Sequence, residues 1–357
     1  MNEWKEYKLG EISEILDYKR KPLSSMERSS RKGGYPYYGA SGIIDSIDDY
    51  IFDGEHVLIS EDGENLRTRQ TPIAFLAYGK FWVNNHAHIL KADYVHSRLI
   101  CYYFAQLDLN PYITGAVQPK LSQDSLNRIP LFLPTSINER EKIVSILSSL
   151  DDKIDLLRRE NATLEQMAET LFRQWFVVEA KEEWEDVLLG NLIDIGSGKG
   201  LQRSDFVENG LYSVLGANGD IGKTNKYLVD ESNRVIYTGR VGTLGNVFRL
   251  ENKKAWLSDN TLVIKPKEYY NFVYFVLKLS CLQDYNVGST QPLIRQSDIK
   301  EIELVLPDRG ILNAFEKECD LIYEKVENNN KQIQTLIQMR DGLLPRLMGG
   351  EVKISVQ

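Results

Sequence analysis

Across residues 136–176 the apolar positions fall alternately four and three apart, at Ile143, Leu147, Leu150, Ile154, Leu157, Leu164, Ala168, Leu171 and Trp175, and Asn161 interrupts the series. A period of 3.5 residues held this long predicts one helix whose apolar stripe must be covered by another helix. At 1.5 Å per residue such a helix is a rod of roughly 60 Å. The same spacing returns near the C-terminus at Phe315, Ile322, Val326, Ile333, Leu336, Leu343 and Leu347, with Asn329 in the stripe and Cys319 and Arg340 in its remaining places. A shift of 172 residues lays Ile154 on Val326, Leu164 on Leu336, Met167 on Met339 and Leu171 on Leu343. The covering helix is therefore expected in the same chain. If Asn161 lies opposite Asn329, an antiparallel seam also sets Leu157 opposite Ile333; the alternative is that each asparagine faces water at a bend.

The repetition extends beyond the helices. Trp4, Leu9, Gly10 and Ile15 recur as Trp184, Leu189, Gly190 and Ile195, and Gly39-Ala40-Ser41-Gly42 recurs as Gly216-Ala217-Asn218-Gly219. Trp82 recurs as Trp256, and residues 115–134 and 288–307 are identical at eight of twenty positions, Gln118-Pro119 and Gln291-Pro292 among them. Unrelated sequences of average composition would share about one. Each half reads as a mixed α/β domain followed by one long helix. Short apolar and β-branched runs predict strands at 57–59, 73–76, 81–83 and 129–133 with a helix over 97–107, and matching strands at 235–237, 246–248, 262–264 and 302–306 with a helix over 270–282. Pro134 and Pro307 close the two domains, and the glycines at 39, 42, 216, 219, 239, 242 and 245 mark tight turns between strands.

The fold class expected is α+β: two pseudo-symmetric mixed α/β domains, residues 1–135 and 179–308, separated by two long helices, 136–178 and 309–350, packed as an antiparallel coiled coil, with a tail at 351–357. The chain of 357 residues is 42% hydrophobic and 26% charged, ordinary for a folded protein. Its first residues hold no apolar stretch suited to a signal peptide, and its most apolar run, 272–282, is short and broken by Lys278, so a cytoplasmic protein without a membrane span is expected. Cys101, Cys281 and Cys319 do not correspond between the halves, which fits buried thiols in a reducing compartment.

The order, doubling and spacing of these motifs resemble the specificity subunit of type I restriction-modification systems. The features that carry the resemblance are the opening Trp-x-x-x-x-Leu-Gly of each half, the Gly-Ala-Ser/Asn-Gly turn, the Gln-Pro before the last strand, the run Leu150-Asp151-Asp152-Lys153-Ile154 and the closing Leu343-Leu344-Pro345-Arg346-Leu347-Met348-Gly349-Gly350-Glu351. Where that family often carries Gly-x-Thr-Pro, this chain has Tyr18-Lys19-Arg20-Lys21-Pro22 and Gly198-Lys199-Gly200. The resemblance implies two target-recognition domains, each reading half of a bipartite double-stranded DNA target, and two helices that fix the gap. It further implies a chain with no catalytic residues and no cofactor of its own. Two methyltransferase subunits would bring S-adenosylmethionine for adenine N6 methylation, and restriction/translocase subunits would bring ATP, Mg2+ and cleavage. Two other readings remain: the recognition subunit of a type IIB-like system, and a duplicated protein-interaction adaptor that does not bind DNA.

A net charge of −8 argues against a chain that coats DNA indiscriminately. Basic residues nevertheless cluster. In the first half the candidates for DNA contact are Lys19, Arg20, Lys21, Arg31 and Lys32, near Arg28, Tyr35, Tyr37 and Tyr38, together with Arg67, Arg69 and Gln70. In the second they are Lys199, Gln202, Arg203, Asn218, Lys223 and Arg240, with Lys226 beside them. Arginine and glutamine offer bidentate pairing to guanine and adenine edges, and lysine suits phosphate; for any single residue the alternative is a solvated surface charge. Gln118-Pro119 and Gln291-Pro292, shared by both halves, are expected to form a turn or touch phosphate. The acidic face of the first long helix is expected to meet protein partners or water.

Several strings mimic enzyme motifs. Asp194-Ile195-Gly196-Ser197-Gly198-Lys199-Gly200 has the look of an S-adenosylmethionine loop, but its counterpart in the first half has no glycines and no Asn-Pro-Pro-Tyr follows; Asn110-Pro111-Tyr112 lacks a proline. Gly222-Lys223-Thr224 lacks the first glycine of a phosphate loop, Ala217 standing there. His86-Ala87-His88 has no evident third metal ligand, so no metal site is expected. The acids around Asp53-Gly54-Glu55 and Glu61-Asp62-Gly63-Glu64 read as loop acids that tune specificity by repulsion.

Overall fold

In the computed structural model the described residues are 3–115 and 117–352; Met1, Asn2, Ala116 and 353–357, the last covering most of the expected tail, lie outside them. The chain divides into two compact units, residues 1–157 with 332–357 and residues 158–331. Each long helix is therefore shared between the units.

Unit 1 contains β1 (Trp4–Lys8), β2 (Glu14–Ile15), β3 (Lys32–Gly39), β4 (Gly42–Ile47), β5 (His56–Ser60), β6 (Ala74–Ala77), β7 (Trp82–Val83), β8 (Ala87–Lys91) and β9 (Pro130–Pro134). They form a four-stranded antiparallel sheet, β2-β8-β5-β6, a three-stranded sheet, β4-β3-β7, and the pair β1-β9. Every residue of β5 is buried, as a short unbroken apolar run demands when both faces are covered. The helix Tyr94–Gln106 packs on this sheet; it starts three residues before the expected position because the Asp93 carboxylate accepts from the N–H groups of Val95 and His96. Ile143, Val144 and Leu147 of the central helix (Ile137–Arg173) and Leu344, Leu347 and Met348 of the C-terminal helix (Arg309–Met348) complete the same core.

Unit 2 repeats the order with β10 (Glu185–Leu188), β11 (Ile193–Ser197), β12 (Tyr212–Gly216), β13 (Gly219–Thr224), β14 (Val235–Gly239), β15 (Val247–Leu250), β16 (Ala255–Leu257), β17 (Thr261–Pro266) and β18 (Glu303–Leu306). Its sheets are β11-β17-β14-β15, β13-β12-β16 and β10-β18. Its core is more aromatic: Phe172, Phe176, Phe272, Phe275 and Phe315 interlock, with Phe176 and Phe315 ring centroids 4.8 Å apart. Two boundaries differ from expectation. The central helix gives way at Gln174–Val178 to a π-turn, and the helix expected over 270–282 stops at Leu279, then restarts as a 3-10 turn after Cys281 adopts a positive φ of 47°. Both openings Trp-x-x-x-x-Leu-Gly lead into strands, β1 and β10, which pair antiparallel with the last strand of their unit: Trp4 stands opposite Pro134 and Glu185 opposite Leu306.

Each unit holds its own stretch of antiparallel helix pair. In unit 1 Ile154, Leu157 and Ile333 share one buried cluster, and Arg340, the charged residue in the stripe, is accommodated by a 3.0 Å ion pair to Asp151. In unit 2 the seam asparagines meet. Asn329, fully buried, donates to Asn161 Oδ1 at 2.9 Å and to Glu160 Oε2 at 3.0 Å, and Asn161 donates to Asn330 Oδ1 at 2.9 Å. The asparagines thus face each other rather than water. A buried polar pair of this kind fixes register at a cost in stability.

Candidate nucleic-acid interface

In unit 1 four loops meet at the end of β5. The β3–β4 tip, Gly39-Ala40-Ser41-Gly42, is held by Ser60 Oγ, which donates to the Ala40 carbonyl. The Gln-Pro turn docks on the next residues: the Gly63 N–H donates to the Pro119 carbonyl at 3.0 Å and the Leu121 N–H to the Glu61 carbonyl at 2.7 Å. The loop of residues 17–23 is pinned by Trp82 Nε1, which donates to the Lys21 carbonyl at 2.6 Å.

Unit 2 builds the same junction with the same backbone bonds. Gly242 N–H donates to Pro292 O at 3.0 Å, Ile294 N–H to Arg240 O at 3.0 Å, and Trp256 Nε1 to Lys199 O at 2.7 Å. The tip residue Asn218 ties β12–β13 to the loop after β14, donating to Thr243 Oγ1 at 3.0 Å and accepting from Asn246 at 3.3 Å. The glycine that opens each Gln-Pro turn has a steric reason: a Cβ on Gly115 or Gly288 would collide with the carbonyl oxygen of Gln118 or Gln291. The repeated Gln-Pro therefore makes a turn that buttresses the β5 and β14 loops.

The side chains at this shared junction differ sharply. In unit 1 the buried His88 ring touches Asp17 Oδ2 through Nδ1 at 2.6 Å and the Leu121 carbonyl through Nε2 at 2.8 Å. Arg20 bridges Asp17, at 3.3 Å, and Glu61, and donates to the Ala87 carbonyl at 2.9 Å, while Lys120 stands 3.2 Å from Glu61. Burial raises the Asp17 pKa, but the His88 hydrogen bond and charge, the Ile89 N–H and Arg20 outweigh it and hold the carboxyl below its ordinary value. Glu61 follows the same pattern, burial opposed by Arg20, His88 and Lys120. Glu61 is accordingly a buried member of an ion-pair network, contrary to its reading as a free loop acid. Asp62 likewise is engaged, 2.8 Å from His86 Nδ1. Asp17, Glu61 and His88 bring three potential metal ligands within 4.8 Å of one another, a grouping the His86-Ala87-His88 string did not reveal. Arg20 and Lys120 already supply the cationic charge there.

In unit 2 the equivalent positions are Ser197, Arg240 and Leu262. Arg240 Nη1 donates to Ser197 Oγ at 3.2 Å, and Gln296 Nε2 donates to the same oxygen at 3.1 Å.

The remaining basic candidates separate into two kinds. Arg31 pairs with Asp48 at 2.9 Å, Lys32 with Asp45 at 2.6 Å, and Lys223 with Asp220 at 3.2 Å; the Lys32 hydrogen bond leads the contacts that hold Asp45 at about 2. Arg67 donates to the Gly115 carbonyl at 3.1 Å, and Arg69 caps the helix Tyr94–Gln106 by donating to the carbonyls of Phe104, Ala105 and Leu107. In contrast, the side chains of Lys21, Gln70, Lys199, Gln202 and Arg203 are exposed and make no hydrogen bond or ion pair among the described residues; Lys19 lies only over the Tyr18 ring. Of the tyrosines, Tyr37 belongs to the core, accepting from the Leu23 N–H at 2.9 Å beneath Arg28. Lys223 lies on β13, within a β-hairpin, and the glycine string of residues 194–200 runs from β11 into the loop that Trp256 pins. Among the described residues no helix is long and apolar enough to cross a membrane.

Comparison with known proteins agrees with this duplicated architecture. Residues 1–166 and 181–335 match the family described as type I restriction modification DNA specificity domain. The MjaIX specificity subunit of a type I restriction enzyme from Methanocaldococcus jannaschii is 26% identical over 341 residues, covering 82% of this chain and 78% of its own. The MjaVIII specificity subunit of the same organism is 21% identical over 408 residues, covering 99% and 93%. The crystal structure of the type I restriction-modification S subunit from M. genitalium shares the fold, with a TM-score of 0.65 at 16% identity over 99% of this chain and 97% of that one. With both halves matched, the chain belongs to the DNA specificity subunits of type I restriction-modification systems, their non-catalytic members.

Proposed function

We propose that residues 1–135 and 179–308 each read one half of a bipartite double-stranded DNA target, and that the helices 136–178 and 309–350 set the gap between the half-sites and dock two methyltransferase subunits. The observation that carries this reading is the loop junction built twice on the same backbone hydrogen bonds and furnished with different side chains, Asp17, Glu61 and His88 against Ser197, Arg240 and Leu262. A common scaffold with exchanged contact residues is what two related readers of different sequences require. The exposed, unpaired cations and amides beside each junction, Lys19 and Lys21 in one and Lys199, Gln202 and Arg203 in the other, supply phosphate and base-edge donors; Gln70 instead lines a cavity with Cys101, Tyr102, Asp151 and Arg340. Half-sites on one face of B-DNA are separated by whole turns of about 34 Å, a spacing that a helical rod sets. S-adenosylmethionine, ATP and Mg2+ belong to the methyltransferase and restriction/translocase subunits in this reading.

The test is selection from a random duplex library by the chain assembled with its methyltransferase subunits. Enrichment of two short sequences at a fixed spacing is expected. Assembly without any enrichment would refute DNA reading in favour of a protein adaptor.

A further inference from the structure

Arg240 differs from the other half-buried guanidiniums of unit 2. Arg234 pairs with Glu251 at 2.7 Å and with Asp320 at 2.8 Å, and Arg249 with Glu251. Arg240 has no carboxylate within 4.0 Å among the described residues; its one side-chain hydrogen bond goes to a neutral hydroxyl, Ser197 Oγ, at 3.2 Å. That oxygen also accepts from Gln296, so both of its lone pairs are taken and its own O–H is left to donate. Asp259, in the adjoining β16–β17 turn, makes no ion pair with Arg240. A partly desolvated guanidinium with most of its five donors unspent is costly unless an acceptor arrives from outside.

Its place in the fold is as specific as its chemistry. Arg240 follows the last residue of the central strand β14, its N–H donating to the Asn260 carbonyl at 2.7 Å and its carbonyl accepting from Ile294. Glu61 stands at the same point in unit 1, its N–H donating to His86 and its carbonyl accepting from Leu121, and its carboxylate is consumed by Arg20 and Lys120. The backbone is thus fixed equally in both units, while the guanidinium is left available only in unit 2.

Resting on the reading of unit 2 as a half-site reader, we propose that Arg240 is a specificity-determining residue that pairs with the O6 and N7 edge of one guanine in that half-site, held in orientation by Ser197 and Gln296. Bidentate pairing with guanine is the geometry that an arginine fork matches and a lysine does not.

The test uses the full chain assembled with its methyltransferase subunits, as wild type, R240Q and R240K, in competition binding against duplexes in which each base pair of the mapped target is replaced in turn. Both variants are expected to lose discrimination at one G·C pair of one half-site, by roughly 5- to 150-fold, and to keep the profile of the other half-site. The unchanged half-site serves as the folding control. If R240K keeps that discrimination, and R240Q only weakens binding to all duplexes with a salt slope lower by about 1, Arg240 holds a phosphate and the guanine assignment falls. Variant profiles identical to wild type also overturn it. A wild-type complex with no bipartite target would remove the half-site reading itself; a bipartite target with unaltered variant profiles would remove only the role of Arg240.

Discussion

Replacing the seam asparagines should separate register from stability. Asn329 is fully buried, spends its amide on Asn161 Oδ1 and Glu160 Oε2, and leaves its own Oδ1 without a donor among the described residues. N161L/N329L loses the Asn329–Asn161 and Asn161–Asn330 bonds, about 0.5–1.5 kcal/mol each, and the Asn329 bond to the Glu160 carboxylate, about 1.5–3 kcal/mol. It removes an orphaned buried carbonyl, a gain of about 1–3 kcal/mol, and buries a leucine at position 329, a further gain of about 1.5–3 kcal/mol. Losses and gains nearly cancel on the central values of these ranges, so the double variant should match wild type to within about 1 kcal/mol. N161L alone keeps Asn329 buried and takes away its partner, so it should be less stable by about 1–3 kcal/mol. Urea denaturation followed by circular dichroism measures both, and analytical ultracentrifugation follows the loss of register as new oligomers. Additive effects of the two substitutions, or a neutral N161L, would refute the paired seam. A double variant with a unique, unshifted helix pair would refute the register role.

Three other outcomes follow from the structure. Burial pushes the Cys101 and Cys319 thiols up to about 12, but Cys101 is only half-buried whereas Cys319 is buried and Cys281 exposed, so Cys281 should react first with a disulfide reagent at neutral pH and Cys319 last; a Cys319 as fast as Cys281 would contradict the packing of its helix. Asp17 and Glu61 have folded pKa values below their ordinary 3.8 and 4.5, so they contribute stability above those values that is lost as pH falls through the lower folded ones. Thermal melting between pH 5 and about 2 should show a shallower loss in D17N than in wild type, and parallel curves would count against the network. Removing the indole N–H of the half-exposed Trp256 by W256F should cost about 1 kcal/mol and speed hydrogen exchange in residues 197–202 only, whereas W82F also opens a cavity beside Tyr37 and Ile47 and should cost more; faster exchange throughout unit 2 in W256F would show that tryptophan to be core rather than pin.

The periodic parts of the chain were the legible ones. The heptad stripe identified both long helices and put two asparagines in it while leaving open whether they face each other or water, because side chains on a packed helix must follow its period, and Val57-Leu58-Ile59 read directly as a strand, β5. Boundaries escaped where one side chain or one peptide decides them: Asp93 begins its helix earlier than the apolar pattern does, and the positive φ at Cys281 ends another. The edge strands β1 and β10 carry no clear alternation, and their existence depends on partners more than a hundred residues away in sequence. At the junctions the sequence gathered basic residues by proximity, whereas the fold sorts them by partner. Arg20 and Arg69 are spent inside unit 1, on carboxylates and on helix-end carbonyls, while Lys21 and Arg203 stay free. Asp17, Glu61 and His88 could not be linked beforehand, since 71 residues separate the first from the last and only strand pairing joins them. The advance signals were two repeats: the tryptophan, whose N–H closes the same loop in both units, and the Gln-Pro, whose proline carbonyl buttresses the same junction in both.

The most direct test of the central claim is a map of methylated adenines in host DNA after co-expression of this chain with its methyltransferase subunits. Two short motifs separated by a constant unread gap are the expected result. A single continuous motif would contradict the two-reader account, and an assembled, cofactor-supplied complex that methylates nothing would contradict DNA reading altogether.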